Sequence, residues 1–114
     1  MKETIGIRLN ELISKYVDIY LAEAETEEYP YAVYTSDITP VYTKDGIHHY
    51  QADVVITVYA KDLDIINPIV DNILEAVAAD MSGGKFSARL TRDHPDCMDG
   101  VWSRELNYTI NQYK

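Results

Sequence analysis

The sequence has little cysteine and few aromatic residues other than tyrosine. Cys97 is its single cysteine, and there is one phenylalanine and one tryptophan. One thiol forms no internal disulfide, zinc ribbon or Cys-x-x-Cys redox pair, and it favours a reducing compartment. Residues 1–16 lack the continuous apolar stretch of a secretory signal, and no apolar run is long enough to span a bilayer. We therefore expect a soluble cytoplasmic protein with no membrane partner.

Basic residues are also scarce. The chain has 10 Lys and Arg residues against 19 Asp and Glu residues, which gives a formal net charge of −9. Such a charge repels a nucleic-acid backbone at long range, so we expect no nucleic-acid partner. The length of 114 residues suits one domain, residues 1–114, and is near the size at which an oligomer interface often adds stability.

The clearest structural signal lies in residues 50–61. One alternate set of side chains is apolar throughout, and the other set is mixed and contains Val55 and Tyr59. This period of two, rich in β-branched and aromatic residues, predicts a central strand. Because successive side chains of a strand point to opposite faces, the apolar set is expected to face a core. The mixed set then faces water or another subunit.

Amphipathic helices are predicted on both sides of this strand in the sequence. The first spans residues 3–20, and the second runs from a cap at Asp62 or Asp64 to about Met81, where Ser82, Gly83 and Gly84 end it. The acidic run at residues 22–28 is interpreted as a solvated helix end or loop. Further strands are predicted from residue 29, over residues 86–91 and over residues 101–112, and residues 93–100 are interpreted as a turn-rich connection.

Residues 39–49, between the first strand and the central one, allow two interpretations. They form either the end of a long hairpin with its tip at Asp45 and Gly46 or a mobile loop, and we favour the hairpin. The element order is then α-β-β-α-β-β. This order predicts an α+β fold with a mainly antiparallel four-stranded sheet and two helices packed on one face. The other face stays open unless another chain covers it, so Val55 and Tyr59 are candidates for a subunit contact.

The search for catalytic chemistry yields no catalytic, cofactor or metal site. The adjacent His48 and His49 point to opposite faces of a strand and are poorly placed to hold one metal. Four potential ligands, His94, Asp96, Cys97 and Asp99, match no zinc or EF-hand spacing. The Gly83-Gly84-Lys85 segment follows a helix and precedes a strand, which is the reverse of the order in a phosphate loop. We therefore expect a protein that is not an enzyme.

Several features together resemble a known family. They are the N-terminal amphipathic helix, the Pro-Tyr-Ala-Val-Tyr segment at residues 30–34, the Ile-Thr-Val-Tyr-Ala-Lys segment at residues 56–61, the long second helix, and the Arg-Glu-Leu-Asn-Tyr-Thr-Ile segment at residues 104–110. In these features the chain resembles the small tail-completion proteins of tailed bacteriophages and prophages, which are relatives of the tail terminator. The resemblance covers most of the chain.

The resemblance implies a structural role without catalysis or cofactors. Members of that family form rings, commonly of six subunits, that stop polymerisation of the tail tube and offer a surface to the head connector. The implied partners are therefore copies of the chain itself, tail-tube proteins and connector proteins. The implied location is the host cytoplasm during assembly and the virion tail afterwards. The long, aromatic connection at residues 39–50 departs from the family pattern, and we expect it, with Tyr42, to contact a neighbouring subunit or the tube.

Two alternative functions belong to other classes of protein. One is a small-molecule or peptide-binding α+β module with a pocket between helices and sheet. The other is an enzyme that uses residues 93–100 with a metal. A ligand that stabilises the monomer would favour the first, and stoichiometric metal after purification would favour the second.

Overall fold

The computed structural model describes residues 4–21, 28–80, 82–83 and 86–113. It has two helices, α1 (Thr4–Ile13) and α2 (Leu63–Asp80). Its six strands are β1 (Asp18–Leu21), β2 (Tyr31–Thr43), β3 (Gly46–Ala60), β4 (Ser82–Gly83), β5 (Phe86–Met98) and β6 (Val101–Tyr113). They form one sheet in the order β1-β2-β3-β6-β5-β4, in which only the β1–β2 pair is parallel.

The predicted central strand, β3, lies in the middle of this sheet between β2 and β6. Its apolar alternate positions from Ala52 to Ala60 are essentially inaccessible to solvent. They pack in one core with the apolar sides of α1 and α2, which contribute Ile5, Leu9, Ile13, Ile66, Val70, Ile73 and Val77. Full burial of one large aliphatic side chain stabilises a fold by about 1.5–3 kcal/mol. The α+β class and the placement of both helices on one face are therefore confirmed.

The predicted strand count of four is wrong, because two short strands extend the sheet at its edges. Helix α1 ends at Ile13 rather than near Tyr20, and residues 18–21 form β1 beside β2. Residues 16–20 are mostly β-branched or aromatic, which form helices poorly and suit a strand when a partner is present. Ser82 and Gly83 form β4 by pairing with the start of β5. The acidic residues 22–27, and Gly84 with Lys85, lie outside the described residues.

The interpretation of residues 93–100 as a turn-rich connection is also wrong. Strand β5 continues to Met98, and only Asp99 and Gly100, both with positive φ, form the turn into β6. Pairing with β6 overrides the local turn signals, because the ladder is unbroken from Met98 opposite Val101 to Arg92 opposite Asn107. Pro95 is tolerated since β5 is an outer strand there, where a missing donor breaks no ladder.

The long hairpin between β2 and β3 is confirmed, and the alternative of a loop is wrong. The two strands pair from Tyr31 opposite Tyr59 to Thr43 opposite Gly46, with an irregularity at Val41 and Tyr42. The two residues of the hairpin turn are Lys44 and Asp45, one position earlier than the predicted Asp45 and Gly46. Gly46 has a φ of 113°, which favours glycine there.

Arg104 interrupts the apolar face of β6, and its contacts explain why. Its guanidinium forms a two-pronged ion pair with Asp93 of β5, and its Nη1 donates to Asn67 Oδ1 of α2 at 3.2 Å. Both charged side chains are mostly shielded from solvent. Arg104 therefore joins the end of the β5–β6 hairpin to the helical layer.

A second two-pronged ion pair joins the helices. Arg8 of α1 binds Asp80 at the end of α2, with Nε to Oδ2 at 2.6 Å. The hydrogen bond from Arg8 and its positive charge hold the pKa of the Asp80 carboxyl below its usual range. The pair therefore stabilises the fold above the ordinary carboxyl pKa of about 4, and this contribution is lost as the pH falls through the lower folded-state value.

We predict that Asp80→Asn lowers the free energy of unfolding at neutral pH and reduces its dependence on pH below about 4. The reason is that the carboxylate held by Arg8 is no longer present to take up a proton. Urea denaturation of both proteins from neutral to acid pH measures this, and the two curves should converge in acid. A constant gap between them down to the lowest pH would contradict the linkage.

We predict that Arg104→Ala lowers the free energy of unfolding by about 1.5–3 kcal/mol, because a shielded carboxylate loses charged hydrogen bonds. Arg92→Ala, at an exposed position of the same hairpin, is the control and should change it by less than about 0.5 kcal/mol. Urea denaturation at neutral pH measures both. A double-mutant cycle with Asp93→Asn should show a coupling energy, and additive effects would contradict the assigned contact.

Candidate interaction surface

Both helices pack on the same side of the sheet, so the opposite face carries no helix of the described part of the chain. We call it the open face. It carries the odd-numbered residues of β3 and β6 and the odd-numbered residues of β2 up to its irregularity. Val55 and Tyr59 lie on it, as their strand positions predicted, and both are partly exposed. That they form a subunit contact remains a prediction.

Charged and polar side chains dominate the open face. Asp37 and Asp53 are directly opposite each other in the β2–β3 register, and both are exposed. Glu105 of β6 adds a third carboxylate, which accepts a hydrogen bond from Asn107 at 3.4 Å. Like charges directly opposite each other destabilise a sheet. The part of the face formed by β2 and β3 is therefore acidic, whereas Arg89 and Arg92 of β5, opposite Thr109 and Asn107 of β6, add two exposed positive charges to the other part.

A cleft of about 500 Å³ lies at one end of the open face. Tyr29, Tyr31 and Tyr59 form one wall, with neighbouring ring centroids 5.2–5.3 Å apart, and the β5–β6 hairpin forms the other. That second wall consists of Asp96, Met98, Asp99, Val101 and Ser103. We call this feature the tyrosine–aspartate cleft. It combines aromatic faces with carboxylates, which suits an amphipathic, positively charged side chain.

The charged groups around this cleft differ in their bonding. Asp96 Oδ1 accepts a hydrogen bond from the Cys97 amide at 2.8 Å, and the Lys61 ammonium lies 5.4 Å from the centroid of the Tyr29 ring. Asp99 forms no ion pair with any residue that the structure describes. The turn-rich interpretation of residues 93–100 did not bring Asp96 and Asp99 near the tyrosines, because the cleft exists only when β5 pairs with β6.

The tip of the β2–β3 hairpin forms the opposite end of the molecule. It extends past Tyr113, the last described residue of β6, so residues 42–48 have no neighbouring strand outside their own hairpin among the described residues. Tyr42 is 66% exposed there, and Lys44 and Asp45 in the turn are exposed as well. The predicted interface residues are therefore split, since Tyr42 is at the tip and Tyr59 is in the cleft.

His48 and His49 do not point apart, and that prediction is wrong. Their rings meet edge to face with centroids 5.0 Å apart, and their Nδ1 atoms are 2.7 Å apart, close enough for one to donate to the other. The cause is the irregularity at Val41 and Tyr42, which leaves His48 without a cross-strand partner and breaks the alternation. Tyr113 packs beside His49 at 5.2 Å.

The potential ligands at residues 94–99 spread along β5 and its turn. His94, Asp96 and Cys97 are consecutive or alternate positions of an extended strand, and all are exposed. Among the described residues, no three His, Cys, Asp or Glu side chains gather as a metal site would require. No described helix is both long and apolar enough to cross a membrane.

At each edge of the sheet, a short outer strand covers only part of the longer strand beside it. Strand β1 pairs with only the first four residues of β2, and β4 pairs with only the first two residues of β5. Residues 35–43 and 88–98 therefore have an outer side without a strand partner in the described parts of the chain. An apolar groove of about 250 Å³, lined by Leu74, Val77, Ala78, Ala88, Leu90 and Tyr108, separates α2 from β5.

Comparison with known proteins gives a likeness of fold. No protein-family model and no curated protein sequence matches this chain significantly. Among solved structures, the chain is similar to a chain in the virion of a native gene transfer agent particle, with a TM-score of 0.60 and 14% sequence identity. The match covers 93% of this chain and 84% of that one. The α+β fold is therefore shared with a component of that virion.

We predict that Asp37→Asn raises the free energy of unfolding, by at most about 1 kcal/mol, because it removes a like-charge pair across β2 and β3. The gain should shrink as salt is added, since both carboxylates are exposed. Asp71→Asn, an exposed carboxylate of α2, is the control for the change in net charge. Urea denaturation at low and high salt measures both variants, and equal effects would show that the opposed carboxylates do not interact.

Proposed function

We propose that this chain is a structural protein of a tailed phage-like particle that completes the tail tube and joins it to the head connector as a ring of identical subunits. The likeness of fold to a gene transfer agent virion chain over 93% of this chain carries the proposal. It agrees with the resemblance of residues 30–34, 56–61 and 104–110 to tail-completion proteins. The proposed location is the host cytoplasm during assembly and then the virion.

The surface of the molecule is consistent with assembly. It offers two partly unpaired sheet edges, an exposed hairpin tip with Tyr42, and an open face with Val55 and Tyr59. Unpaired edges and exposed large side chains are where protein chains associate. In this proposal the partners are copies of the chain, tail-tube proteins and connector proteins. The protein performs no catalysis, and its net charge of −9 disfavours contact with nucleic acid.

The second candidate function is the binding of a small molecule or peptide. The tyrosine–aspartate cleft favours it, because about 500 Å³ lies within the range of ligand sites. This cleft lies on the open face, whereas the binding-module interpretation expected a pocket between helices and sheet. A ligand that binds and stabilises a monomer would support this candidate over the ring.

We predict that the protein forms a closed oligomer and that deletion of residues 43–48 abolishes it while the monomer stays folded. The deleted residues contribute no side chain to the buried core. Light scattering coupled to size exclusion, over a range of concentration and salt, measures the mass, and circular dichroism measures the fold. Because a tail tube can act as the template for a ring, binding to purified tube is measured as well.

Ile7→Ser is the matched control for this deletion. Ile7 is 55% exposed on α1, on the helical side of the sheet, and its replacement should leave the oligomer intact. An oligomer that survives the deletion would exclude the hairpin from the interface. A monomer at every concentration that also fails to bind the tube would overturn the proposed function.

A further inference from the structure

The hairpin tip and the tyrosine–aspartate cleft lie at opposite ends of the same strand. Gly46 begins β3 beside the turn, and Tyr59 is its penultimate residue and lines the cleft. At about 3.3 Å per residue these two positions are about 40 Å apart along the strand. The longest dimension of the molecule is 52 Å. No bend of a single chain brings them together, so a contact between tip and cleft must join two copies.

The charged and aromatic side chains of the tip complement those of the cleft. Lys44 is an exposed ammonium with no ion pair among the described residues, and Tyr42 is a largely exposed aromatic side chain beside it. The cleft presents tyrosine faces together with the carboxylates of Asp96 and Asp99. An ammonium gains both from carboxylates and from aromatic faces, and a tyrosine gains from other aromatic rings.

The second charge of the tip also has a complement. Asp45 follows Lys44 in the turn, and the Lys61 ammonium lies over the Tyr29 ring at the edge of the cleft. The tip therefore carries one charge of each sign, and the cleft region carries charges of both signs.

The separation of the tip and the cleft determines the type of contact. A contact between tip and cleft uses two different surfaces of each copy. Such a head-to-tail contact repeats from copy to copy and either closes a ring or grows a filament.

We propose that the β2–β3 hairpin tip of one copy, with Lys44 and Tyr42, docks into the tyrosine–aspartate cleft of a second copy. The inference rests on the self-association in the proposed function and specifies the two surfaces that carry it. Lys44 lies against Asp96 and Asp99, and Tyr42 packs on the tyrosine wall. The occupant of the cleft is therefore this same protein.

Charge reversal tests the contact from both sides. The tip variant carries Lys44→Glu, and the cleft variant carries Asp96→Lys with Asp99→Asn. Asparagine rather than lysine is used at position 99, because the backbone there has a φ of 53°, a conformation that Asp and Asn adopt more readily than most other residues. Each variant alone places like charges against each other, so its association constant should fall about tenfold or more. Light scattering coupled to size exclusion at low salt measures this.

An equimolar mixture of the two variants provides the decisive measurement. The new glutamate of the tip variant meets the new lysine of the cleft variant. The cleft variant still has Lys44, which meets the unchanged cleft of the tip variant. Mixing should therefore restore an oligomer in which the variants alternate. Only a contact between two different surfaces predicts rescue in a mixture of variants that each fail alone.

The outcomes separate this contact from the proposed function. If the native protein associates and neither variant weakens it, the contact is wrong while self-association stands. Loss in both variants without rescue by mixing also overturns the contact. If the native protein is monomeric at every concentration and does not bind tail tube, both the contact and the ring are overturned.

A crosslinking measurement does not depend on the charge changes. In a Cys97→Ser background, one protein carries Lys44→Cys and another carries Asp96→Cys, at an exposed strand position that lines the cleft. Oxidation of the mixture should give a disulfide-linked pair of the two proteins in preference to pairs of either one alone. A mixed pair that forms no more than about twice as often as each like pair, which is the ratio that random collision gives in an equimolar mixture, would overturn the contact. Ser14→Cys, at an exposed position after α1, replaces Lys44→Cys as the control and should give no preferred pair.

Discussion

The pairing of β3 with β2 on one side and with β6 on the other is the interaction on which the rest of the structure depends. It determines which alternate side chains of three long strands share a face, and a slip of one residue would move every one of them to the opposite face. Ala52, Val54, Ile56 and Val58 then meet the helices as one apolar surface. The same register places Asp53, Val55 and Tyr59 on the open face.

The helical layer adds specific connections to this pairing. Arg8 joins α1 to the end of α2, and Arg104 joins the β5–β6 hairpin to α2 through Asp93 and Asn67. The second connection anchors the hairpin that forms one wall of the cleft. The geometry of an exposed candidate site therefore depends on a partly shielded ion pair on the opposite side of the sheet.

The distribution of charge gives the two faces and the two ends different properties. The helical side buries the core, the open face carries charges of both signs, one end carries an exposed lysine and tyrosine, and the other carries a tyrosine-lined cleft with carboxylates. Two complementary ends suit a head-to-tail contact that repeats from copy to copy. That asymmetry is what the proposed contact between tip and cleft requires.

The α+β class, the central strand, the long hairpin and the open-face positions of Val55 and Tyr59 could be predicted from the sequence, because side-chain alternation and turn chemistry act over a few neighbouring residues. Features that depend on distant partners emerged only in the folded chain. Pairing with β2 made residues 18–21 a strand, and pairing with β6 carried β5 through Pro95 to Met98. The irregularity at Val41 and Tyr42 brought His48 and His49 together, and strand order brought Asp96 and Asp99 to the tyrosines. Each of these follows from contacts between residues far apart in sequence, which local patterns do not encode.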